Sequence, residues 1–417
     1  MKIVILTAGT RGDVQPYLAL AKRLQAAGYD VRLGAPSNFE SFAATHGIEF
    51  TPLRADYYQL MDSPEGQALK SGNPIRVMQN MRSTVFPMMR KLLDDTWQAA
   101  QDADVIIYHP KLLGTPHIAE KLNVPVFAAA TVPILSPTGQ FPAPGVINRD
   151  LGATFNRLTY KALDLATSSF NGMVKDWRRD VLGLPEKSSV VKGQPIPVLY
   201  CYSPHVLPVP ADWDASAHVT GYWWLDEAKG WEAPADLQAF LKAGDAPVYV
   251  GFGSMIAESP EKTTQIVIEA LQRSGQRGVI ASGWGGLRPA DVPTNIFMLK
   301  EAPHEWLFPR MSAVVHHGGA GTTAAGLRAG KPTVICPFIA DQPFWGNQIA
   351  KLGVGTAPIP QKQLSVDNLA EAIRTAATDT GMRQRAISLG ERLQAEDGTG
   401  NALQVIESIL QPMREMA

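Results

Sequence analysis

Eight consecutive residues carry the densest chemistry in this chain: His316-His317-Gly318-Gly319-Ala320-Gly321-Thr322-Thr323. An apolar run, Ala313-Val314-Val315, leads into them, and an Ala/Leu/Arg segment of helical character leads out. A strand that breaks at glycines and opens a helix gathers backbone N–H groups at the positive end of a helix dipole, which suits a phosphate. Histidine donors, glycines that permit close backbone approach and two hydroxyls together suit a diphosphate. The competing reading is a tight strand–helix turn whose histidines are packed.

Asp341-Gln342 opens the loop after the next predicted strand, 333–337, at the same sheet edge. A carboxylate beside a carboxamide supplies acceptors and donors together, a common way to hold sugar hydroxyls. Asp341 also reads as a cap of the helix through Trp345 and Asn347, and both roles can coexist. In the first half, Asp13 follows the first strand and is a candidate base, although its position before Gln15-Pro16 is that of an ordinary helix N-cap. Spacing alone favours the cap. His109, at the end of predicted strand 104–108, is a second polar group on that edge, and a lone histidine there is more often structural.

Other chemistries are disfavoured. Neither a G-x-G-x-x-G turn after the first strand nor a G-x-x-x-x-G-K-[ST] loop is present, which argues against a nicotinamide enzyme or a P-loop ATPase. Lys plus Arg (38) nearly balance Asp plus Glu (39), so no basic field argues for nucleic acid. Cys201 and Cys336 sit in apolar runs and read as buried thiols of a reducing compartment. The first residues read as a buried strand rather than a signal peptide, and no run approaches the roughly 18 apolar residues of a spanning helix. The expectation is a soluble cytoplasmic protein, with peripheral membrane contact open.

The elements that must position these residues alternate regularly. Strands are predicted at 2–7, 31–35, 48–52, 104–108 and 124–129, with helices closing at Gly28, over 39–46, over 78–100 and over 115–122. That rhythm is a doubly wound α/β, Rossmann-like half. The segment 57–74 reads as a mobile loop, and 133–144 as a Pro-rich segment exposing Ile134, Leu135 and Phe141 beyond the sheet's carboxyl edge. Residues 151–182 read as helix, mostly packing, with some apolar side chains lining an acceptor pocket. The composition of 203–217 is that of a linker. The rhythm then restarts with strands at 248–252, 278–281 and 296–299, and helices run from 365 to the end. The chain of 417 residues therefore divides as 1–207, a linker 208–218, a second Rossmann-like domain 219–398 and a final helix 399–417.

With RGDVQPYLAL at the N-terminus, HVTGYWWLD, GFGSM, PHEWLF, HHGGAGTTAAGLRAGKPTVICPF and DQPFWGNQ, the chain resembles the UDP-glycosyltransferase superfamily. Within it the likeness is greatest to sterol 3-β-glucosyltransferases and bacterial glycosyltransferases of antibiotic and other natural-product aglycones. The resemblance implies a GT-B fold, two Rossmann-like domains facing across a cleft with a last helix crossing back. It also implies inverting, metal-independent transfer from a nucleotide diphosphate sugar, expected to be UDP-glucose, to a hydroxyl of a hydrophobic acceptor such as a sterol, flavonoid or polyketide, with no further cofactor. By resemblance His317 contacts phosphate, Gly319, Gly321, Thr322 and Thr323 form its cradle, and Ser254 lies near the diphosphate. Asp341 and Gln342 hold the sugar hydroxyls, Trp284 and Ala302 the nucleoside, and Asp13 is the general base. The plant flavonoid branch has a histidine after the first strand held by an aspartate after the fourth; here those places carry Asp13 and His109, so Asp13 alone is the expected base. The alternatives are a rhamnosyl or dTDP-sugar transferase, a nucleotide-sugar-binding protein without transfer activity, and an epimerase of the same fold.

Overall fold

The computed structural model describes residues 1–54, 81–186, 195–227, 230–253, 255, 259–282 and 292–415. Ser254, Trp284, segment 57–74 and the start of the helix predicted over 78–100 lie outside the described residues. Among those described, β1 (Lys2–Leu6), β2 (Asp30–Pro36), β3 (Glu49–Leu53), β4 (Val105–Tyr108), β5 (Val126–Ala130), β6 (Val198–Tyr200) and β7 (Ala217–Val219) form one sheet. Its order is β3-β2-β1-β4-β5-β6-β7, with every pairing parallel. A second parallel sheet has the order β10-β9-β8-β11-β12, built from β8 (Val248–Gly251), β9 (Gly278–Ala281), β10 (Ile296–Leu299), β11 (Ala313–His316) and β12 (Thr333–Ile335). The expected architecture of two Rossmann-like halves is the observed one.

Alternation along each strand explains why both faces of the first sheet must be covered. Val4, Leu6, Ile106, Tyr108, Ala128 and Tyr200 enter one apolar cluster, while Ile3, Ile5, Val105, Ile107, Phe127 and Leu199 enter another. The second cluster is closed from the far end of the chain. Helix Gly398–Glu415 places Ala402, Ile406 and Leu410, four residues apart, against Leu18, Ala21 and Leu24 of helix Arg11–Ala26. Burying Ile406 and Leu410 contributes roughly 1.5–3 kcal/mol each, which ties the last helix to the first half as the sequence implied.

Two predicted segments differ from the structure. The stretch read as a linker ends in β7, which pairs with β6, and Tyr222, Trp223 and Leu225 pack in the first half's clusters. A three-residue edge strand flanked by prolines and aspartates has the composition of a linker, and only its pairing identifies it. The region 151–182 is two helices, Ala153–Thr167 and Asn171–Asp180. Tyr160 and Trp177 are buried there as expected, but Phe155, Leu158 and Leu165 are exposed at 61%, 46% and 74%. In the Pro-rich segment Leu135 is exposed, whereas Phe141 packs on Phe344 of the other half, ring centroids 5.4 Å apart.

Strand order reverses between β1 and β4 and again between β8 and β11, and these switch points are where an open α/β sheet leaves a ligand crevice. Register carries the consequence to residues. Leu6 pairs with Tyr108, and the His109 N–H donates to the Leu6 carbonyl at 2.8 Å, so the segments leading to Asp13 and His109 leave the sheet side by side. His316 pairs with Gly251, so Gly253 and His317 also emerge together.

Candidate active site

On the first wall, helix Arg11–Ala26 begins earlier than its sequence suggests. Thr10 is its N-cap, and Asp13 sits in its first turn. Asp13 Oδ2 accepts the Thr10 N–H at 2.8 Å and the Thr10 hydroxyl at 3.3 Å, so Asp13 serves the capping box from its third position rather than being the cap itself. The capping role does not consume the carboxylate. Its Oδ1 lies 3.3 Å from His109 Nε2 and 2.9 Å from Lys111 Nζ, with the side chain 18% exposed. Gly9 makes this arrangement possible: its φ is +140°, and a Cβ there would sit 2.1 Å from Asp13 Oδ2.

The protonation pattern on this wall follows from the hydrogen bonds. The Lys111 backbone N–H donates to His109 Nδ1 at 3.1 Å, so Nε2 carries the proton and points at Asp13. Burial holds His109 neutral by pushing its pKa down. Burial would push Asp13 up, but the Lys111 charge and the His109 hydrogen bond outweigh it and hold the carboxyl well below the usual range. The wall presents an ionised carboxylate gripped by three donor residues. Sequence reasoning missed both the pairing of His109 with Asp13 and Lys111 itself. Their place directly after β4, at a switch point, is the signal that could have found them.

On the second wall the octet divides its labour. His316 ends β11 fully buried, and its Nδ1 accepts the Gly318 N–H at 2.9 Å, so this histidine is the packed one. His317 lies between Gly253 and Gly319 and is pushed by burial down to about 4, so its ring is neutral. Its Nδ1 is buried without a protein partner. Gly318 turns the chain at φ +92°, where a Cβ would meet Ile335 Cγ2 at 2.7 Å and the Gln342 carbonyl at 3.1 Å. Helix Ala320–Arg328 then starts from Gly319, with Gly321 exposed and Thr322 half-buried at its open end. Thr323 faces inward: it is fully buried and its hydroxyl has no partner.

Asp341 occupies the N-cap position of helix Gln342–Leu352 but makes no side-chain cap. Its Oδ2 instead accepts the Trp345 Nε1–H at 2.9 Å. Burial raises its pKa to about 6, a rise that the Trp345 hydrogen bond opposes and the Asp13 charge adds to. Ala340, just before it, has φ +57°, a conformation non-glycine residues rarely take. Gln342 is buried and turned to the loop: its Oε1 accepts from the Phe338 and Ile339 N–H groups at 2.7 and 3.1 Å. Its Nε2 rests 3.4 Å from Met255 Sδ. Ala302 follows β10 and packs into the apolar cluster with Tyr249, Leu299 and Phe308.

The two walls meet. A Cβ on Gly321 would lie 3.9 Å from Gly12 Cα, which brings the open end of the second-half helix against the first turn of helix Arg11–Ala26. Arg11 binds Glu227 through both carboxylate oxygens, at 2.5 and 2.7 Å, the Glu227 N–H donates to Glu305 Oε1 of the second half, and Asn347 Nδ2 donates to the Asn148 carbonyl at 3.0 Å. An ionised carboxylate, a second carboxyl group, a neutral histidine and the N–H groups of a helix start thus converge on one cleft. Such a set can accept a proton on one side and stabilise an emerging anion on the other. Among the described residues, no group of three or more His, Cys, Asp or Glu side chains is placed to hold a metal ion, and no helix is long and apolar enough to cross a membrane.

Comparison with known proteins agrees with this fold. Residues 3–136 match the Glycosyltransferase family 28 N-terminal domain, and residues 285–406 match the Erythromycin biosynthesis protein CIII-like C-terminal domain. The chain is 41% identical over 415 residues to the sterol 3-beta-glucosyltransferase UGT80A2 of Arabidopsis thaliana, covering 97% of this chain and 64% of that protein. It is 38% identical over 425 residues to UGT80B1 of the same plant, covering 99% of this chain and 68% of that one. The chain thus spans about two thirds of the length of these relatives. Among solved structures, the glycotransferase of kitacinnamycin superposes with a TM-score of 0.73 at 18% identity, over 98% of both chains.

Proposed function

The chain belongs to the glycosyltransferase family that includes the sterol 3-beta-glucosyltransferases, and from that premise we propose that it transfers glucose from UDP-glucose to the hydroxyl of a sterol-like acceptor, with inversion. The observation that carries the reading is the opposition of Asp13 to the His317–Thr322 turn at the two facing switch points. In this reading the acceptor oxygen attacks the anomeric carbon while its proton passes to Asp13. The bond to the diphosphate breaks on the opposite face. The departing charge is met by His317, the Thr322 hydroxyl and the open N–H groups of helix Ala320–Arg328.

An Asp13 held so far below the usual carboxylate range is a weak base. It gains basicity relative to the acceptor only as the hydroxyl is consumed, so proton transfer accompanies bond formation rather than preceding it. Asp341 is positioned to accept hydrogen bonds from sugar hydroxyls, and the Gln342 amide N–H group can donate to them. The exposed stripe of Leu151, Phe155, Leu158 and Leu165, spaced four, three and seven residues apart, favours an acceptor delivered from a lipid surface with peripheral contact to it. Incubation with UDP-glucose or dTDP-glucose against a sterol, a flavonoid and a polyketide, read by mass spectrometry, tests the assignment. The expected product is the steryl glucoside from UDP-glucose. Binding of UDP-glucose with no product from any hydrophobic alcohol would instead support a nucleotide-sugar-binding protein.

A further inference from the structure

Asp13 has no unengaged side for a reacting hydroxyl. A carboxylate offers about four lone-pair directions, and here they meet the Thr10 N–H, the Thr10 hydroxyl, His109 Nε2 and Lys111 Nζ. These donors differ in how firmly they are held. The Thr10 pair belongs to the helix start, and His109 is 8% exposed and pinned through Nδ1. Lys111 is 41% exposed and reaches Asp13 at the end of a flexible four-carbon stem. It is the most exposed and most flexible of the donor residues that face Asp13 Oδ1.

We propose that Lys111 is a positioning residue that holds the place of the acceptor hydroxyl on Asp13 Oδ1 and is displaced when an acceptor binds. The proposal rests on the functional reading above. While Lys111 is seated, Asp13 is unavailable to activate water. The side reaction it suppresses is hydrolysis: a water oxygen bonds to the anomeric carbon, the bond from that carbon to the diphosphate oxygen breaks, and the water proton goes to Asp13. Free sugar and nucleoside diphosphate are the products. Around Asp13 the other titratable groups are His109, from the same loop as Lys111, Tyr17 from its own helix, Cys201 after β6, and Asp341 from the second half. Lys111 is the cation in contact with the carboxylate, and it also acts on Asp341.

The test compares the full-length chain with Lys111→Met and Lys111→Arg. With UDP-glucose and no acceptor, Lys111→Met is expected to release UDP about tenfold faster, the factor equivalent to one pKa unit. Its acceptor KM should fall, and the acid limb of kcat/KM for transfer should move about one to three units to higher pH as the cation is lost. Lys111→Arg should restore all three. Folded Lys111→Met with unchanged hydrolysis and an unchanged acid limb would overturn the proposal. A 13C NMR titration of the Asp13 carboxyl in the same three proteins needs no donor, and its midpoint should rise in Lys111→Met alone. If the wild type turns over no nucleotide sugar, the functional reading fails, and an unmoved Asp13 midpoint would separately sink the Lys111 pairing.

Discussion

His109 Nε2 stands 3.3 Å from Asp13 Oδ1, with the ring's other nitrogen engaged by the Lys111 N–H. The two groups form a dyad in which the carboxylate comes from the helix start after β1 and the imidazole from the loop after β4. This is the reverse of the order expected for the plant flavonoid branch. Because β1 and β4 are adjacent at the switch point, exchanging the two side chains keeps them in contact while leaving the carboxylate, not the imidazole, the more exposed of the two.

That order gives unequal substitutions. Asp13→Asn should lower kcat by about 10²- to 10⁴-fold, the usual worth of a general base, while leaving UDP affinity by calorimetry unchanged. His109→Ala removes one of the hydrogen bonds to Asp13 and should cost only about tenfold in kcat/KM. Near-normal turnover in Asp13→Asn would remove Asp13 as the base.

Asp341 predicts a pH dependence on the other wall. Its folded pKa is raised from 3.8 to about 6 by burial, so the stability it contributes is full below 3.8 and is lost as pH rises through about 6. Thermal melts of wild type against Asp341→Asn should therefore diverge over that window, the wild type losing relative stability toward neutral pH. If the ionised carboxylate is what accepts sugar hydroxyls, the KM for UDP-glucose should rise as pH falls below about 6. A donor KM that is flat there would separate Asp341 from donor binding.

The sequence carried the fold because the apolar runs that became β1, β4, β8 and β11 are buried on both faces and read continuously. It located the strand, glycine turn and helix of the octet for the same reason, since a buried strand that breaks at glycines ahead of a helix start is a local pattern. The residue pattern alone could not divide His316 from His317, a choice that only the resemblance made, because it depends on which ring the turn at Gly318 directs inward. The capping role of Asp13 differs from the simple N-cap its spacing suggests, as the helix starts at Thr10 and a capping box can leave one carboxylate oxygen for other work. Lys111 and Trp345 are not legible at all. Their importance comes from reaching Asp13 and Asp341, and no local pattern encodes that reach.

His317 should act as a neutral donor throughout the physiological range. Burial lowers it to about 4, so its contribution to UDP binding should be constant between about pH 5 and pH 8. His317→Ala should weaken UDP binding by about 1–3 kcal/mol, the cost of an unmet buried hydrogen bond. Calorimetry at three pH values checks both points. A UDP affinity difference between wild type and His317→Ala that grows as pH falls through 6.5 would mean the ring is charged.

Gly318→Ala tests the turn itself. The substitution adds a Cβ at φ +92°, 2.7 Å from Ile335 Cγ2 and 3.1 Å from the Gln342 carbonyl. Strain and overlap together should destabilise the chain by about 1–3 kcal/mol and push the turn that carries His317 away from Gln342. Denaturant melts should show the loss, and UDP affinity should fall with it. Retained affinity in a destabilised variant would show that the cradle tolerates a shifted turn.

Trp345 offers the sharpest separation of electrostatics from packing. Its Nε1–H donates to Asp341 Oδ2 at 2.9 Å, and its ring meets Phe344 edge-on at 5.2 Å and Tyr202 at 6.1 Å. Trp345→Phe keeps an aromatic ring for those contacts and removes the donor along with part of the indole's bulk. The hydrogen bond lowers the Asp341 pKa, so its loss should push that group further up. A bond of about 1 kcal/mol corresponds to somewhat less than one pH unit. The acid limb of the UDP-glucose KM should therefore move to higher pH in Trp345→Phe, while KM well above the limb stays close to wild type. Adding Asp341→Asn should abolish the limb in either background. If Trp345→Phe raises KM equally at every pH, Trp345 acts on the donor through packing, and its hydrogen bond does not tune Asp341.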